Sequence, residues 1–396
     1  AGSLEAASLM VDPILQPDGY SEDAATEAAA MAQDYQASPE TANEQDYPDV
    51  FLILSESFYD FDLVTDLQAD QEIMQVTKNL PNSIYGHTIS PHVGGGTNSS
   101  EYEMLSSNSL MLMPSITPFN WLNLHKANSL VSNLKDLGYA TLAAHPYTNS
   151  NYRRDSAWLT LGFDETHFQD DFPTKETYGS RPYQTDSATY RDLEGLYEAM
   201  PEDQPRFVFL VSIQSHGDYD MNPPEEDIVH AATDYGEYDS IMDEYLSNIY
   251  MTDRAFGELT EYLTEQYEKT GRKVIVAMAG DHAPSFVDHV ADHTFTDENN
   301  LQILERSTPF FIWANYDIPE RDDLRISSNY LGVLAAEVAG LPLTGYQQLL
   351  SRLMDALPVA STAGYVTAEG QITQEVEELP GYEREREKII ANTRAL

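Results

Sequence analysis

The chain has 396 residues, 41% of them hydrophobic, including 25 Tyr and 14 Phe, enough apolar content for a large folded core. Its formal net charge is −45, and a surface of that sign repels phosphate backbones, which argues against nucleic acid as a partner. There are no cysteines, so disulfides, thiolate metal sites and cysteine nucleophiles are excluded.

In chain order, residues 1–47 are rich in Ala, Glu, Asp, Gln and Pro and predict an acidic linker or loosely packed arm. No Lys or Arg precedes Lys78, while the same segment carries 17 Asp and Glu. No run approaches the ~18 to 20 apolar residues of a membrane span. The opening AGSLEAAS reads as the start of an excised domain whose upstream part, expected to include a membrane anchor, is missing. The fold proper is expected over 48–340, with a peripheral element over 341–396.

Short apolar runs predict strands at 50–54, 139–145, 206–216, 273–282 and 308–315. Helical periodicity falls between them, at about 69–80, 97–107, 128–137, 153–161, 186–199, 237–269 and 326–339. That alternation predicts an α/β fold with a mostly parallel central sheet and helices on both faces. Beyond 340, TGYQQLLSRLMDAL predicts one more helix, and a Glu-rich stretch, EVEELPGYEREREKII, follows.

Four of the strands run into polar residues: Glu56, His145, His216, and the adjacent Asp281 and His282. Ligands of open α/β sheets bind at the carboxyl ends of strands, so these side chains are expected to converge on one crevice. Asp281, His282 and Glu56 make a donor set of two carboxylates and an imidazole. Such a set suits Mn²⁺ or Mg²⁺, with Zn²⁺ also open.

The stretch VGGGTNSSEYEML runs three glycines into Thr97 at a helix start. The glycines allow backbone to approach an anion, and the helix start aims N–H groups at it. Thr97 either caps this helix, with Ser100 and Glu101 sharing the task, or serves as a nucleophile beside a metal. Past the second strand, His145, Tyr152 and Arg154 offer an aromatic wall and a guanidinium fork for phosphate. His216 can donate to a leaving oxygen as general acid. His289 and His293, four apart, could form a helical metal pair, though a loop position or a supporting role behind the ligands is the favoured expectation, with His289 lining the pocket.

These blocks in this order, FLILSESF, VGGGTNSSEYEML, LKDLGYATLAAHPYTNSNYRRDSAWLTLGFDE, FVFLVSIQSH and AGDH, resemble the extracellular catalytic domain of lipoteichoic acid synthases and related phosphoglycerol transferases. That family belongs to the sulfatase and alkaline phosphatase superfamily. The resemblance covers about residues 48–315 and implies a sulfatase-like fold with a smaller C-terminal α+β element. It implies that Glu56, Thr97, Asp281 and His282 bind one Mn²⁺-like ion and that Thr97 is the nucleophile. It further implies that His145, Tyr152, Arg154 and His216 surround a glycerol phosphate headgroup. Phosphatidylglycerol would be the donor, and a glycerol phosphate polymer or glycolipid the acceptor, at the outer face of a bacterial membrane. Tyr152 stands where the family has Trp, and the loop before Thr97 is tighter than the family's Gly-x-Gly-x-Thr. The C/S-x-P-x-R motif of sulfatases proper is missing, which disfavours sulfate ester hydrolysis. A phosphoethanolamine transferase, a phosphodiesterase and a catalytically silent wall-polymer binder are the competing readings.

Overall fold

The computed structural model describes residues 47–374, apart from 112 and 295. Residues 1–46 of the expected arm and the Glu-rich stretch from 375 onward lie outside them.

Eight strands form the central sheet in the order β4-β3-β5-β1-β6-β7-β2-β8. They are β1 (Asp49–Ser55), β2 (Ser83–Ile89), β3 (Ala140–Ala144), β4 (Glu165–His167), β5 (Arg206–Val211), β6 (Val274–Gly280), β7 (Ser307–Ala314) and β8 (Arg321–Ser327). The block β4-β3-β5-β1-β6 is parallel throughout, so its carboxyl ends all open on one edge. The run at 308–315 is a strand as expected, but β7 lies antiparallel to both β6 and β2.

Alternation along β1 shows why the central strands read as continuous apolar runs. Val50, Leu52 and Leu54 enter the core on one face, and Phe51 and Ile53 the core on the other. The first face is covered by helices α1 (Thr97–Ser106), α2 (Leu130–Asp136), α3 (Arg154–Leu161) and, further along the chain, α7 (Leu331–Val338). The second is covered by α4 (Asp186–Ala199) and the 32-residue α5 (Asp239–Thr270), which buries Met242, Tyr245, Leu246, Ile249, Phe256, Leu259 and Leu263 at helical spacing. The remaining helices of seven residues or more are α6 (Glu298–Leu304) and α8 (Gly345–Ala356). Past α8 stands a three-stranded antiparallel sheet of β9 (Val359–Ser361), β10 (Gly364–Val366) and β11 (Ile372–Thr373).

Two expected helices are shorter than the sequence suggests. Of 69–80 only Gln75–Asn79 is helical, where the Asp253 carboxylate accepts hydrogen bonds from Val76 N and Thr77 N at 2.8 Å each. Of 326–339, Ile326 and Ser327 finish β8, and the α-helix starts only at Leu331.

Gly280 ends β6 immediately before Asp281, and a Cβ there would sit 2.0 Å from Phe58 O and 2.9 Å from Thr308 Cβ. Replacing Gly280 by Ala should therefore cost about 2 to 3 kcal/mol of stability, read by denaturant unfolding. A wild-type midpoint and slope would contradict this account of the β1–β6 end.

Candidate active site

The site begins with strand register. Ser55 pairs with Gly280 across the parallel β1–β6 ladder, so the next residues of the two strands, Glu56 and Asp281, emerge side by side. The chain then bends at Ser57, whose φ is 48°. Ser57 N and His282 N both donate to Asp281 Oδ1, at 2.7 and 2.8 Å. Asp281 Oδ2 is buried without a hydrogen-bond partner among the described residues and lies 3.1 Å from His282 Nε2. His282 Nε2 is in turn 3.7 Å from Glu56 Oε1. The imidazole is held by Nδ1, 3.0 Å from Ala283 O, which assigns the proton to Nδ1 and turns the Nε2 lone pair toward the two carboxylates.

Ligand atoms of Glu56, Asp281 and His282 lie within 4.8 Å of one another, all three residues being buried. Burial, and secondly the Asp281 charge, push the Glu56 carboxyl up to about 8. An orphaned buried carboxylate oxygen, a lone pair aimed at it and a carboxyl destabilised by its neighbour are what a divalent cation would satisfy. The donor set fits such an ion.

Thr97 reaches this centre through the glycine loop. Val93 bridges Ala283 in parallel, and Gly94 N donates to Ala283 O at 2.9 Å. Gly94, Gly95 and Gly96 have φ of 67°, 124° and 82°, and a Cβ on Gly96 would meet the His92 ring at 2.7 Å. Gly96 is the N-cap of α1 and Thr97 its first helical residue, with no side-chain cap. Of the two roles open to Thr97, its side chain makes no capping bond; Ser99 N donates to Gly96 O at 2.8 Å, which leaves the amides of Thr97 and Asn98 at the open end of the helix. Ser90 Oγ and Ser100 Oγ both donate to Asp281 O at 2.6 Å, fixing the helix start against the end of β6.

A cavity of about 240 Å³ opens here, with Glu56, Thr97, His145, Tyr152, Arg154, His216 and His282 in its wall. Arg154 is buried, its Nε and Nη2 donating to Glu101 Oε1 at 2.8 and 2.7 Å. Glu101 Oε2 accepts from Trp158 Nε1 at 3.0 Å. Arg154 Nη1 donates to His145 Nε2 at 3.0 Å, while His145 Nδ1 faces Val211 O at 2.8 Å. Burial and then the Arg154 charge hold His145 well below the usual imidazole range, so it is a neutral acceptor that aims the guanidinium. Tyr152 and Arg153 take left-handed φ of 55° and 57°, conformations that cost about 1 kcal/mol or more each and turn Tyr152 to the cavity.

His216 is exposed, its Nδ1 2.5 Å from Gly217 O and its ring tilted against Tyr183 at 5.1 Å. The loop that carries it rests on Arg181, which the sequence reading did not select. Arg181 is fully buried, pairs with Glu244, and donates to His216 O and, at 2.9 Å, to Asp218 O. Glu244 Oε2 also accepts from Met221 N and Asn222 N at 2.6 and 2.8 Å.

His289 is the one proposed pocket residue that the structure does not bring in. It sits in the short helix Val287–Val290, half-exposed, with its ring stacked on Tyr238 at 5.2 Å. Stacking on Tyr238 holds it away from the cavity wall.

A family model described as Sulfatase matches residues 48–341. Among solved structures, the chain is similar to the phosphoglycerol transferase GacH of Streptococcus pyogenes in complex with sn-glycerol-1-phosphate, with 19% identity and a TM-score of 0.75 over 96% of this chain and 94% of that one. It is similar to the lipoteichoic acid synthase LtaP of Listeria monocytogenes, with 17% identity and a TM-score of 0.64 over 93% of this chain and 96% of that one. A putative cyclic beta-1,2-glucan modification protein of Rhizobium meliloti (strain 1021) is 23% identical over 319 residues, 78% of this chain. The chain spans 48% of that relative's length.

Added Mn²⁺ should raise the thermal midpoint of the wild type, with about 2.7 kcal/mol of stabilisation at roughly a hundredfold excess over Kd. Asp281→Asn and Glu56→Gln should lose that shift; a shift that survives both would place the ion elsewhere. Separately, Glu101→Ala leaves the Arg154 charge buried and uncompensated, and should cost about 3 to 5 kcal/mol in denaturant unfolding. A loss under 1 kcal/mol would show that the pair is not the support of Arg154.

Proposed function

The chain belongs to the sulfatase family, and on that premise we propose that it is a phosphoglycerol transferase with Thr97 as nucleophile. The observation that carries this reading is Thr97 at the start of an uncapped helix, on the wall of a cavity it shares with Glu56, His282 and Arg154. A divalent cation held by Glu56, Asp281 and His282, Mn²⁺ in our reading with Mg²⁺ and Zn²⁺ as competitors, would lower the pKa of the Thr97 hydroxyl and offset phosphoryl charge.

In the first step Thr97 Oγ, its proton lost to solvent, bonds to the phosphorus of phosphatidylglycerol. The phosphorus–oxygen bond to diacylglycerol breaks, and His216 gives the departing oxygen a proton. The Thr97 and Asn98 N–H groups at the start of α1 and the two Arg154 N–H groups not engaged by Glu101 and His145 hold the phosphoryl oxygens. In the second step an acceptor hydroxyl passes its proton to His216 and bonds to phosphorus. Thr97 Oγ leaves, regaining a proton from solvent. The end of a growing glycerol phosphate chain, or a glycolipid, is the acceptor in this reading.

Likeness to GacH, a phosphoglycerol transferase, and to LtaP, a lipoteichoic acid synthase, supports this headgroup. The setting would be the outer face of a bacterial membrane. No described helix is long and apolar enough to cross a membrane.

Thr97→Ala should reduce diacylglycerol release from labelled phosphatidylglycerol by about a thousandfold or more without changing the thermal midpoint. Unchanged turnover removes Thr97 from the chemistry. Faster release from phosphatidylethanolamine than from phosphatidylglycerol would reassign the headgroup.

A further inference from the structure

The acidic excess of this protein has a gap, and the gap coincides with one lip of the cavity. Between residues 73 and 154 the chain carries only three of its 66 Asp and Glu, namely Glu101, Glu103 and Asp136, yet five of its 21 Lys and Arg. Glu101 and Glu103 are buried, so Asp136 is the one exposed acid of the stretch. The glycine loop, Thr97, His145, Tyr147, Tyr152 and Arg154 all come from this stretch.

An apolar side chain stands out in the same region. Trp121 is 54% exposed, at the end of the short helix Pro118–Trp121. That helix contacts the Asn151–Arg153 turn, which sets Tyr152 on the cavity wall. Arg153, in that turn, is exposed. An exposed indole beside an exposed guanidinium, at the end of an acid-poor stretch whose next exposed acid is Asp155, is the composition that settles at a phospholipid headgroup layer.

We infer that the surface formed by Pro118–Trp121 and the Asn151–Arg153 turn docks on a phospholipid bilayer, bringing the cavity mouth to the headgroups. The inference rests on the reading above of a phospholipid donor. Charge selects the occupant and the orientation together. With a formal charge of −45 over the whole chain, an anionic leaflet repels most of this protein, and the acid-poor lip is the side on which approach costs least. Trp121 then inserts at the interface and Arg153 pairs with lipid phosphate.

The chain has three Trp, and Trp158 and Trp313 are buried, so emission changes on exposure to lipid report Trp121. With vesicles of phosphatidylcholine and phosphatidylglycerol, the wild-type emission should shift to the blue and be quenched by brominated acyl chains. In vesicle sedimentation, Trp121→Ala and Arg153→Glu should each weaken partitioning by about fivefold or more, at unchanged thermal midpoints. Unshifted, unquenched emission overturns the inference, as does wild-type sedimentation by both variants. A blue shift without lipid that grows with protein concentration as the mass doubles also overturns it, assigning the surface to a second copy. Turnover of detergent-dispersed phosphatidylglycerol is read in parallel. Vesicle docking without that turnover counts against the proposed transfer while supporting the surface, and turnover without docking does the reverse.

Discussion

The centre depends on a single residue, Asp281, whose polar atoms, Oδ2 excepted, tie different parts of the chain. Its N–H goes to Ser55 O, its carbonyl receives Ser90 and Ser100, and its Oδ1 receives the amides of Ser57 and His282. Through those bonds the end of β1, the end of β6, the strand leading to the glycine loop and the first turn of α1 share one point. Oδ2 alone is left over, and it faces the cluster. All of these bonds lie among buried groups, so Glu56, His282 and the start of α1 inherit the rigidity of two fully buried strands.

Two buried guanidinium–carboxylate pairs support opposite walls of the cavity. Arg154–Glu101 joins α3 to α1, and because Glu101 lies one turn beyond Thr97 the same helix presents the hydroxyl and aims the cation. Arg181–Glu244 joins the loop carrying His216 to α5. Buried pairs of this kind rarely raise net stability, since desolvation offsets much of the attraction. Their contribution is positional: each charge is fixed by several bonds, and removal of either partner leaves the other stranded in a low-dielectric interior.

The parallel strands were legible because both faces are buried, which leaves an unbroken apolar run, and because polar residues follow at their ends. Glu56, His145, His216, Asp281 and His282 came from that pattern alone. β2 was not legible, since its sequence SIYGHTI carries a glycine and a histidine; Gly86 is required because a Cβ would meet Leu324 O at 2.1 Å. β8 begins with three exposed charged residues and has no apolar run to announce it. Glu244 was hidden for a different reason. It lies on the side of α5 that periodicity assigns to solvent, and that side is covered by the 214–229 loop, where Ser247 Oγ accepts from Ile228 N and Val229 N. Glu101 read as a capping residue because its real partner, Arg154, is 53 positions away in sequence.

These supports divide the cavity into two kinds of wall. On one side Glu56, Asp281 and His282 hang from the ends of β1 and β6, with Thr97 tied to them through the glycine loop, and a shift of one residue there would disrupt the β1–β6 ladder. On the other, His216 and Tyr219 stand on a loop whose hold on the fold runs through Arg181, and Tyr152 stands on a turn that keeps two residues in left-handed conformations. Substitution is tolerated more readily in loops than at strand ends, since loops pair fewer backbone groups with the sheet. On the reading proposed above, the bond changes at phosphorus would draw on the strand ends, with His216 supplying the proton from the loop side. Tyr152 and Tyr219, on that same side, would bear on the headgroup and acceptor.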